Sequence, residues 1–194
     1  MAKRKKEKEV PAEAKPVLFT GATLRDGFCD YSMTIKQGTG VGNHTVKGEG
    51  LYKPDLHNAF KRLNVHLALI DDVFKHAGLE IENVNDADNT ELSGLYDVSA
   101  IKLKGTEENL SVVLIGDKYV TSTGGERIQL QSPKISLVAG SIYKWYNELK
   151  EAVDIVLAEV EAYHNGKWDP VEEEVKNPNQ LTIEEAIEAE EQES

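Results

Sequence analysis

The chain has 194 residues, 29% of them charged and 40% hydrophobic, with a formal net charge of −12 and one cysteine. That length holds one domain with a proper core plus tails. The lone Cys29 excludes an intrachain disulfide and a multi-cysteine zinc cage, which fits a reducing cytosol, and the acidic balance argues against tight nonspecific binding to duplex DNA, where phosphate neutralisation dominates affinity.

The charge is unevenly spread. Residues 1–16 carry Lys3, Arg4, Lys5, Lys6, Lys8 and Lys15 against Glu7, Glu9 and Glu13, a segment charge of +3. Residues 165–194 carry ten carboxylates against Lys167 and Lys176, a charge of −8, which leaves −7 for residues 17–164. The expected layout is a basic disordered head over 1–16, one domain over 17–164 and an acidic disordered tail over 165–194, with a transient helix at 181–191. The head's lysines run into Glu-Lys-Glu-Val-Pro rather than an apolar stretch, so no secretory signal is expected. No apolar run reaches membrane-spanning length. The expectation is a cytoplasmic protein with no membrane partner.

Residues 17–27 are ambiguous, with Val-Leu-Phe-Thr as a possible short strand. From Phe28 to Gln37 the residues alternate, with Cys29, Tyr31, Met33 and Ile35 on the apolar side and Phe28, Asp30, Ser32, Thr34 and Lys36 on the other. Cys29 is therefore expected in the core as a small hydrophobe. The stretch Gly38, Gly40, Gly42 that follows invites comparison with phosphate-cradling loops. It lacks the Gly-Lys-Ser/Thr ending and the helix start that such loops need. A flexible hairpin loop is expected, and as a possible ligand loop it would offer His44 and Lys47.

Across 54–77, Leu56, Phe60, Leu63, Leu67, Ile70 and Phe74 recur every three or four residues, which predicts one long helix opened by Pro54 and stopped by Gly78. His57, His66 and His76 are not spaced as a helical metal pair. The Asn- and Asp-rich stretch 80–91 hints at calcium but lacks the central Gly of an EF-hand loop, so a polar connector is expected.

Residues 94–137 contain three strand-like runs broken at Gly-Thr-Glu-Glu-Asn and Ser-Thr-Gly-Gly-Glu, whose short turns suit antiparallel hairpins. In 95–104, alternation puts Ile101 and Leu103 on one face and Tyr96, Val98, Lys102 and Lys104 on the other. In 127–131, Ile128 and Leu130 oppose Arg127, Gln129 and Gln131. The run 110–115 is apolar on both faces and should be central. Lys118, Tyr119 and Lys134 fall near the ends of these strands. A second amphipathic helix is predicted over 141–164, capped by Ser141 and striped by Ile142, Trp145, Leu149, Ala152, Val156 and Val160. The predicted fold is α+β: an antiparallel sheet of five to seven strands with two long helices mainly on one face.

No nucleophile elbow, zinc-protease helix or nucleotide-binding fingerprint is present, and the carboxylates lie mostly in tails and turns, so neither an enzyme nor a cofactor or metal is expected. A sheet face carrying Tyr96, Lys102, Lys104, Arg127 and Gln129 has the cations and the aromatic ring that single-stranded nucleic acid requires. In its β-rich body and long acidic tail, residues 171–194, the chain resembles the single-stranded DNA-binding proteins of bacteria and their phages. That resemblance implies an accessory role in DNA replication or recombination, with the tail recruiting protein partners and competing for the basic face. The tail here ends Glu-Glu-Gln-Glu-Ser rather than in an aromatic residue. The alternative is a non-enzymatic assembly or interaction protein, such as a homo-oligomer, or a binder of a small ligand.

Overall fold

The computed structural model describes residues 17–37 and 40–171. Strand β1 (Val17–Arg25) and strand β2 (Phe28–Gln37) form a hairpin closed by Asp26 and Gly27, whose φ angles are +51° and +86°. Both central residues of a type I′ turn need positive φ, and Asp-Gly supplies them. Strand β3 (Gly40–Val46) returns along β2 in register from Tyr31–Val46 to Gln37–Gly40. Gly40, Gly42 and His44 therefore lie in a strand rather than in a ligand loop, and His44 faces Met33 across the ladder. Gly38 lies outside the described residues, as do the basic head, the acidic residues from 172 on and the predicted helix at 181–191.

The other sheet strands are β5 (Tyr96–Lys104), β6 (Ser111–Val120), β7 (Glu126–Gln131) and a short β8 (Ile135–Ser136). With β1 to β3 they make a seven-stranded antiparallel sheet ordered β3-β2-β1-β5-β6-β7, with β8 beside β6. Strand β4 (Leu51–Tyr52) instead pairs with β9 (Trp168–Asp169). The body thus continues beyond the expected boundary at Asn165.

The predicted helix over 54–77 is three short ones: α1 (Pro54–Lys61), α2 (Asn64–Ile70) and α3 (Val73–His76). Two features break it. The first break falls at Arg62 and Leu63, and directly after it the side chain of Asn64, the first residue of α2, accepts a hydrogen bond from Val98 N at 2.8 Å, which pins this turn to the sheet. Asp72 sits in left-handed backbone at φ +55°. The apolar stripe survives because each piece still turns the same face inward: Leu56, Phe60, Leu63, Leu67 and Phe74 are all buried. Gly78, at φ +72°, ends the series as expected. The polar connector contains α4 (Val84–Asp88), capped by the Asn83 side chain accepting from Asp86 N at 2.9 Å.

Helix α5 (Tyr146–His164) starts five residues later than expected. Ser141 does not cap it and Ile142 is fully exposed. Residues 141–145 are drawn out of helix because Tyr143 turns inward, where its hydroxyl meets His66 Nδ1 at 2.9 Å and its ring packs edge-on against Trp145. The buried stripe of α5 is Leu149, Ala152, Val153, Val156, Val160 and Tyr163. It packs on α1, β1 and β2, while α1 and α2 cover β5. The architecture is α+β with one long helix. No described helix is long and apolar enough to cross a membrane.

Candidate nucleic-acid interface

The helices cover one face of the sheet, and the strand registers decide which side chains point the other way. On β2, Cys29, Tyr31 and Met33 are buried with the helices, as alternation predicts. Burial pushes the Cys29 thiol up to about 12, helped by the charge of Asp30, so it is no nucleophile. Its cross-strand neighbours fix the bare face as Asp30, Ser32 and Thr34 on β2, Leu18, Gly21 and Thr23 on β1, and Asn43 and Thr45 on β3.

On β5 the ladder register shifts between Val98 and Ala100. Such a bulge flips every side chain beyond it relative to simple alternation. Tyr96 and Val98 consequently point to the helices together with Ile101 and Leu103, and all but Leu103 are buried. The expected placement of Tyr96 beside Lys102 and Lys104 is thereby corrected. Its hydroxyl donates to Asp71 Oδ2 at 2.6 Å, and burial, with that bond, raises its pKa to about 12.

Lys118 pairs with Tyr96 across the β5–β6 ladder, so it too lies on the helix side, 2.5 Å from Asp71 Oδ2. Lys134 lies on the exposed connector between β7 and β8, off the face. Lys47 follows β3, exposed and outside the sheet.

The bare face keeps Lys102, Lys104, Tyr119, Arg127 and Gln129 of the expected set. Lys102 lies opposite Gly21 on one side and Val113 on the other, and Lys104 opposite Ser111. No ion pair reaches either lysine among the described residues. Between them and β2 runs a trough of about 300 Å³ lined by Thr20, Thr23, Asp30, Ser32 and Thr45. Its depth is explained by Gly21, which puts no side chain between Lys102 and Ser32. A Cβ there would sit 2.9 Å from the carbonyl oxygen of Ile101.

The basic strip is not continuous. At the β7 end the Arg127 guanidinium lies 4.8 Å over the Tyr119 ring and 4.0 Å from Asp117, and Asp97 stands directly opposite Asp117. Arg25 is similarly engaged by Asp30 at 3.5 Å. The lysine-and-hydroxyl end is therefore the part suited to a polyanion, while two facing carboxylates disfavour one at the far end.

Sequence reasoning missed the trough walls on β1 and the role of Asp71. The Asp26-Gly27 pair flanked by alternating residues was the available signal for β1; nothing in the sequence marked Asp71 as the partner of two distant residues.

No protein-family model matches this chain, and neither do any curated proteins or solved structures.

Proposed function

We propose that this protein binds single-stranded nucleic acid, in the manner of an accessory protein of replication or recombination, on the bare face of its sheet. The observation that carries the reading is the pair Lys102 and Lys104. In a body of net negative charge, they stand two residues apart on one face, about 7 Å at the usual strand rise, with no carboxylate within ion-pair distance among the described residues. Cations left unpaired beside a row of hydroxyls hold a phosphate backbone by charge and by hydrogen bonds from Thr23, Ser32 and Thr45. Tyr119, its ring already covered by Arg127, gives the face one aromatic rather than a stacking platform. Binding in this reading is dominated by phosphate contacts and strongly salt-dependent. The acidic segment from 172 on competes for the same cations.

The test is fluorescence anisotropy of a labelled single-stranded oligonucleotide, using the full chain and a version ending at Val171, at low and moderate salt. Ending at Val171 keeps the β4–β9 pair, which a cut at Asn165 would remove. Tighter binding by the shorter version, weakening with salt, is expected. No binding by either at low salt sinks the reading.

A further inference from the structure

A groove of about 520 Å³ opens between the end of α2, the connector from β7 to β8, and the segment 141–145 that precedes α5. Its walls are apolar, with Leu69, Ile70, Ile135, Ile142, Tyr143 and Trp145, and Ile142 is fully exposed at the rim. Exposed apolar surface gathered in one concave place marks a site of contact. The charged residues on the walls are Lys134 and Lys144 against Asp72. Lys144 Nζ lies 4.8 Å over the Trp145 ring, and no ion pair reaches either lysine among the described residues. In an acidic body this groove is locally positive.

Its occupant must therefore carry aliphatic side chains and carboxylates together. Two stretches of this chain lie beyond the ends of the described residues. Residues 1–16 have a charge of +3 and would be repelled by the two lysines. Residues 172–194 hold Leu181, Ile183 and Ile187 interleaved with Glu184, Glu185 and Glu188. Reach agrees with charge. The described chain leaves at Val171, past the C-terminal end of the 19-residue α5, and the groove lies at that helix's N-terminal end, about 28 Å away along the axis. At about 3.3 Å per extended residue, Leu181 reaches about 33 Å from Val171 and Ile187 about 53 Å. A tether of this length gives an effective concentration on the order of millimolar, so weak contacts suffice.

We propose that residues 181–187 dock in the groove of the same molecule, their aliphatic side chains inside it and Glu184 and Glu185 toward Lys134 and Lys144. Ser136 on the groove wall lies opposite Ser111, and Ser111 opposite Lys104, so the docked segment stands about two strand spacings, about 10 Å, from that lysine. The docking does not rest on nucleic-acid binding, and its failure leaves that reading intact.

The test is amide NMR of the full chain with a nitroxide on Gln180→Cys, compared with the same chain after reduction of the label. Native Cys29 is fully buried and takes no label. Signals from residues 134–136 and 141–145 should lose intensity. Ile142→Glu changes a fully exposed side chain, spares the fold, and should restore them; Ile183→Ser with Ile187→Ser should do the same. Loss centred on residues 102–104 instead, loss nowhere, or loss that survives both sets of substitutions overturns the proposal. So does loss in a nitrogen-15 chain without nitroxide mixed with a spin-labelled one, which would seat the segment on a second copy.

Discussion

The hydroxyl of Tyr96 and the carboxylate of Asp71 meet at 2.6 Å beneath the sheet, and Lys118 joins the same oxygen at 2.5 Å with its ammonium 5.3 Å from the Tyr96 ring centre. This triad ties β5 and β6 to the turn after α2. Burial alone would raise the Asp71 pKa, but the hydrogen bonds from Lys118 and Tyr96 outweigh it and hold the carboxyl below its usual range. A depressed carboxylate pKa contributes stability above about pH 4, and that contribution is lost as pH falls through the folded-state value.

Tyr96→Phe should therefore destabilise the fold by about 1.5–3 kcal/mol, the usual worth of a hydrogen bond to a charged group, measured by urea unfolding at neutral pH. It should leave oligonucleotide affinity unchanged. A loss of binding with no loss of stability would return Tyr96 to the bare face.

The same residue shows how far the sequence was legible. Alternation placed Cys29, Tyr31 and Met33 correctly because β2 is regular over those positions. It failed on β5 because one register shift between Val98 and Ala100 reverses the parity, and no residue there announces a bulge. The helix stripe over 54–77 was right as a buried face and wrong as one rod: the pieces part at Arg62–Leu63, beside the bond from Val98 N to Asn64, and again at the left-handed Asp72, and the stripe's period marks neither break. At 141–145, likewise, the contact of Tyr143 with distant His66 overrides local helical pattern. Lys102 and Lys104 could be read as a pair because they lie beyond the bulge on an unbroken run.

For that pair the expected effect is on salt dependence. Lys102→Ala with Lys104→Ala should weaken single-strand binding and reduce the magnitude of the slope of log K against log salt by about 1.4, two contacts at about 0.7 each for a single strand. Lys118→Ala should lower stability without changing that slope, because its ammonium is engaged by Asp71 on the other side. Equal slopes for the double variant and the parent would remove the bare face from the binding surface.

Tyr163 makes a separate prediction about how α5 holds the chain after β3. Its hydroxyl donates to Gly50 O at 2.5 Å and accepts from Gly50 N at 3.4 Å, so one buried oxygen serves both backbone groups. Gly50 has no room for a side chain, because a Cβ would run into the Trp168 ring. Tyr163→Phe leaves a buried carbonyl and amide unpartnered at a cost of about 1–3 kcal/mol. Hydrogen exchange at residues 48–52 should rise along with the drop in urea midpoint. Unaltered exchange there would show that the β4–β9 pair holds the segment by itself.

Acid stability should depend in part on His66. Only 2% exposed, it is held neutral by burial, which lowers its pKa to about 4 from the ordinary 6.5. The ring lies against Tyr143, and Arg62, Asp88, Glu148 and Glu151 line the adjoining cavity of about 350 Å³. A histidine with a depressed folded-state pKa favours the folded state above 6.5; that advantage fades as pH falls towards 4, because the unfolded chain takes the proton first. At about 1.4 kcal/mol per unit, the shift amounts to roughly 3 kcal/mol across this window. The carboxylates titrate over part of the same range, so the informative quantity is the difference between the parent and His66→Gln. The variant should be less stable at pH 7, since it disturbs the bond to Tyr143, yet should lose less stability between pH 6.5 and pH 4. Parallel pH profiles for the two proteins would mean that the imidazole is protonated inside the fold, with the neighbouring carboxylates compensating its burial.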